Sequence, residues 1–71
     1  MTNEQKFNAA AAAVPASHSE AVDMAKENAN DMITGDRVGI KYLDDQYHAD
    51  ALATLAMIMD APTEYGLPAL H

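Results

Sequence analysis

The chain has 71 residues, four of them basic and eleven acidic, for a net charge of −7, and it contains no cysteine. A chain of this length is one small domain, 1–71, that buries roughly 60% of the surface its unfolded form exposes. Without cysteine, disulfides and thiolate metal sites are excluded as staples, and the acidity excludes direct binding to a phosphate backbone, which needs clustered Lys and Arg.

The remaining staple for so small a core is a partner, and homodimerisation is the expected form. No apolar run reaches the roughly 18 residues a membrane span requires. The N-terminal MTNEQKFN and the alanines after it lack the basic and strongly apolar regions of a signal peptide. A cytoplasmic location is expected.

In chain order, Thr2 and Gln5 form a T-x-x-Q capping box, in which two side chains satisfy orphan backbone donors reciprocally. Phe7, Ala10, Ala11 and Val14 then recur at helical spacing. Pro15 ends the run, because the residue before a proline is pushed out of the helical region. The first helix is predicted over 3–13.

Ser17 and Glu20 suggest a second capping box, and the next helix is predicted over 18–34. Ala21, Val22, Ala25, Ala29, Met32 and Ile33 share one stripe at helical spacing. Glu20, Asp23, Glu27 and Asp31 form a continuous acidic stripe at i, i+3, i+7 and i+11. Asn28, at the edge of the apolar stripe, is expected to be partly buried and bonded to a neighbour. Gly35 stands where a C-terminal cap glycine belongs.

Residues 35–39 hold two glycines in five and read as a loop. Val38, Ile40 and Tyr42 alternate with polar or small residues, a short strand pattern with no partner strand in the chain. An extended linker, or a helix starting near Ile40, is the preferred reading of 36–43.

The third helix is predicted over 44–60, with Asp44 and Asp45 in its first turn complementing the helix dipole. Its first half is amphipathic. From Ala51 to Met59 it carries no charge and is apolar nearly all round, a pattern that calls for burial on more than one side. Leu52, Leu55, Ala56, Met57, Ile58 and Met59 are therefore the expected partner interface. Pro62 stops the helix. The tail, 61–71, with Pro62, Gly66 and Pro68 among Tyr65, Leu67 and Leu70, is expected to fold back irregularly.

The fold expected is all-α: a short N-terminal helix and an antiparallel two-helix hairpin, completed by a second copy, with an irregular C-terminal tail.

Chemistry is sparse. His48 follows Asp44 by one turn, a spacing that puts both side chains on one face. This is half a metal site or an acid–base pair, and more often a structural histidine, since a metal needs three or four ligands. Ser17 and Ser19 have no His–Asp context beyond His18. The glycines match no phosphate loop or dinucleotide fingerprint. No catalytic, cofactor or metal site is expected, and the chain is not read as an enzyme. Met24, Met32, Met57 and Met59 are flexible, polarizable side chains suited either to filling a small core or to adaptable binding surfaces.

The expected function is a small acidic interaction module that binds and regulates or inhibits a larger protein. In size, acidity and lack of cysteine the chain resembles the small inhibitors and anti-activators of bacteriophages and mobile elements; no residue motif carries that likeness. Two alternatives accompany it: an acidic mimic of nucleic acid presenting Glu20, Asp23, Glu27 and Asp31 to a basic groove, and a metal- or ligand-binding module around His48.

Overall fold

Thr2 opens the first helix as a true N-cap. Its Oγ1 accepts from the Gln5 backbone N–H at 3.1 Å, and Gln5 Oε1 accepts from the Thr2 backbone N–H at 2.9 Å. The helix, α1, spans Asn3–Ala13 and ends as expected: Val14, held at φ −71°, ψ 129° before Pro15, is extended.

The computed structural model describes residues 1–33 and 40–70, and within these there are three α-helices and no strand. After α1 come a single 3-10 turn, Ala16–His18, then α2, Ser19–Ile33, α3, Ile40–Asp60, and a second 3-10 turn, Pro62–Tyr65. The predicted Gly35 cap, the loop over 35–39, the helix end at Thr34 and Val38 of the strand pattern lie outside the described residues. Among the described residues no helix is long and apolar enough to cross a membrane.

The expectations at two helix starts, those of α2 and α3, need correction. Ser17 lies inside the 3-10 turn with its hydroxyl on His18, so the capping box expected with Glu20 does not open α2. Ile40 and Tyr42 are helical, which removes the strand reading and leaves the early helix start. With α3 beginning at Ile40, Asp44 and Asp45 sit beyond its first turn, which contains no acid; they are too far in to complement the orphan N–H groups at the end.

The core is built mostly from small residues. Ala21, Ala25 and Ala29 follow one another at i, i+4 and i+8 on α2 and are fully buried, as is Ala51 of α3. Side chains this short let two helix backbones approach toward the close end of the 8–10 Å interaxial range typical of helix pairs. Bulk comes from Phe7, Leu55 and Ile58, each 2% exposed, and from Leu67. Met32, expected on the buried stripe, is 60% exposed, because the alanine ladder takes the helix face one step further round.

α3 is the central element, packed against both α1 and α2. Asn3 Nδ2 donates to Asp45 Oδ1 at 3.0 Å, and the Phe7 and His48 rings lie 6.2 Å apart. Contacts that ascend together in this way make α1 and α3 run in the same sense.

The tail is more ordered than the irregular segment expected. Pro62 starts its 3-10 turn, and Gly66, at φ 80°, closes it in the left-handed conformation. Leu67 N–H then donates to Pro62 C=O at 3.0 Å, the backward bond of a glycine-terminated helix end, with Leu67 delivered into the core as its apolar anchor.

Candidate functional site

The six residues predicted to meet a partner are divided by their place on α3. Leu55 and Ile58 belong to the protein's own core, 2% exposed each. Leu52 and Met59 are partly buried and pack against that core. Ala56 and Met57 are exposed, Met57 at 62%. The division follows from α3 having a helix on each flank. Two flanks cover most of its circumference, and the uncovered arc falls on Ala53, Ala56 and Met57.

Both sides of this arc are concave. Between α1 and α3 lies an open groove of about 320 Å³ walled by Ala10, Ala13 and Val14 and by Leu52, Leu55, Ala56 and Met59. Every one of these side chains is uncharged and apolar. On the α2 side, Met24, Asn28, Thr54, Met57, Ile58 and Tyr65 enclose a second concavity of about 260 Å³. Met24 and Asn28 also line a neighbouring hollow with Glu27 and Asp31, so the two adjoin.

Asn28 bridges the helices at that point. Its Nδ2 donates to Thr54 Oγ1 at 3.0 Å and lies 3.4 Å from Met32 Sδ. The expected bond to a neighbour is present, although the residue is exposed rather than partly buried. The acidic stripe is also placed as predicted: Glu20, Asp23, Glu27 and Asp31 are all exposed along α2.

His48 is a packed residue. Its Nδ1 lies 2.9 Å from the Asp44 main-chain oxygen and 3.7 Å from Asp44 Oδ1. A carbonyl only accepts, so Nδ1 carries the proton and donates to it. The ring is held between Phe7 and Tyr47, edge-on to the latter at 5.0 Å. Asp44 is largely exposed, so the one-turn spacing recovers the neighbours while the bond itself goes to the backbone. Among the described residues no three His, Asp or Glu side chains gather as a metal would require.

His18, which has no periodic or motif signal in the sequence, is the other packed histidine. It is 3% exposed. Its Nε2 lies 2.6 Å from the Pro68 carbonyl oxygen and its Nδ1 2.7 Å from Ser17 Oγ. The carbonyl must accept, so Nε2 donates, and in the neutral ring Nδ1 accepts from the Ser17 hydroxyl. Both ring nitrogens are engaged inside the fold, and the arrangement fastens the tail to the turn between α1 and α2. A contact between residues 50 apart leaves no periodic trace in the sequence.

No protein-family model matches the chain, and neither a curated protein nor a solved structure is similar to it.

Proposed function

We propose that the chain is a small acidic binding module that acts on a larger protein through the outward surface of the second half of α3. The observation that carries this reading is Met57. A large, flexible apolar side chain stands 62% exposed at the rim of a concavity, in a stretch of nine residues without a charge. Exposed apolar side chains flanking concave apolar surface are the ordinary signature of a protein-binding face. A regulatory or inhibitory role fits a module with this surface.

The same reading takes α2 and α3 as an antiparallel hairpin, supported by their packing on each other and by the Asn28–Thr54 bond between them. It assigns the uncharged α1–α3 groove to a second copy of the chain. Sedimentation at micromolar concentration checks that part: a dimer is expected, and a stable monomer removes it. For the partner face, a photo-crosslinking residue at position 57 is expected to capture a larger protein in cells that make the chain. The same residue at Ala12, exposed on α1, is expected not to. Equal yields from both positions count against the reading.

A second reading, the nucleic-acid mimic, is favoured by the exposure of all four α2 acids. It predicts that partner affinity falls steeply with salt and is indifferent to Met57→Lys.

A further inference from the structure

The surface on the α2 side of α3 joins two features that are separate in the sequence, the methionines and the acidic stripe. Met32, Met57 and Tyr65, at 60%, 62% and 38% exposure, are three of the large apolar side chains left open to solvent. Met57 and Tyr65 line one concavity with Met24 and Asn28, and Met32 adjoins Asn28. Glu27 and Asp31 line the adjoining hollow, which shares Met24 and Asn28 with that concavity.

We propose that this surface is a docking site for a basic amphipathic helix of another protein. The inference rests on the reading of the chain as a protein-binding module and adds the chemistry of its partner. Met24, Asn28 and Met32 ascend α2 in steps of four, a span of roughly 12 Å at 1.5 Å per residue. That length matches two turns of an incoming helix bearing apolar residues at i, i+4 and i+7. Thioether side chains adapt to the shape of such a stripe. Glu27 and Asp31 border it where Lys or Arg on the flank of an incoming helix would lie. The chain's net charge of −7 steers a basic partner toward it and repels nucleic acid. The α1–α3 groove has no such complementarity, because none of its lining residues is charged. A partner strand would need a sheet edge, and the described residues contain no strand.

The probe is a synthetic Leu/Lys amphipathic helix of about 18 residues, long enough for the two-turn contact and its flanks. It is titrated into the full chain while backbone amide shifts are followed, with a Leu/Glu peptide of the same pattern as comparison. Saturable binding is expected, with shifts centred on Met24, Asn28 and Met57. Replacing Met32 and Met57 together by Ser, both already exposed, is expected to weaken binding by about ten-fold or more. Glu27→Gln with Asp31→Asn is expected to weaken it and to flatten its salt dependence. Glu4→Gln with Asp44→Asn, an equal change of charge elsewhere, is expected to have little effect.

The proposal is overturned if the Leu/Glu peptide binds as well or the two charge pairs cost the same. It is also overturned if the shifts centre on Ala13 and Met59, or if no saturation is reached. Failure here together with loss of partner capture by Met57→Lys leaves the module reading standing and discards the basic helix. Capture unchanged by Met57→Lys discards the module reading itself.

Discussion

His18 and His48 show how differently two histidines can be legible. The spacing from Asp44 to His48 announces a neighbour one turn away, and the structure has that neighbour, with Nδ1–H on the Asp44 main-chain oxygen. Because the bond is to backbone, Asp44→Ala is expected to change unfolding free energy by less than about 0.5 kcal/mol in urea denaturation. A larger loss would mean that the carboxylate, 3.7 Å away, carries the interaction. His18 has no sequence signature at all, since its partner Pro68 is fixed only after the tail has folded. Removing it leaves the Pro68 carbonyl without its donor and opens a void in a buried site. His18→Ala is expected to cost about 2 kcal/mol and to speed amide exchange at Leu67. Gly66 belongs to the same device. A Cβ there would meet nothing within 4 Å, yet φ stays at 80°. Gly66→Ala is therefore expected to cost about 1 kcal/mol through backbone strain alone, measured by the same denaturation.

At the level of elements, the helices were readable from periodicity and punctuation, and the errors lie at their ends. Thr2–Gln5 and Ser17–Glu20 carry the same capping pattern, and only the first is used as a cap. Pro15 sets up a 3-10 turn that takes Ser17 inside it, where its hydroxyl meets His18 instead. Asp44 and Asp45 imitate a first turn, so the start expected at 44 falls four residues after the observed start at Ile40. The burial of the six residues expected to meet a partner was half legible. The apolar pattern of 51–59 was real, but which side of it faced inward depended on two flanking helices that no local window contains. Leu55 is accordingly core, and Leu55→Asp is expected to unfold the protein by placing a charge in a site 2% exposed. The alanine ladder gives the opposite test. Ala25 is fully buried at a helix–helix contact, so Ala25→Leu is expected to overpack it and cost about 1–3 kcal/mol. Thermal unfolding checks both variants, and a stable Ala25→Leu protein would mean that α2 sits loosely on α3.

For the whole molecule, the uncovered arc of α3 is the proposed working face. Of the six residues, Ala56 and Met57 are exposed, with concavities on either side. The most direct measurement is partner capture by the wild type and by Met57→Lys from cells that make the chain, once circular dichroism has shown both proteins equally helical. Met57 is already 62% exposed, so lysine there leaves the fold intact. The wild type is expected to retain a larger protein and Met57→Lys to lose it. Equal retention of the same protein by both would contradict that expectation.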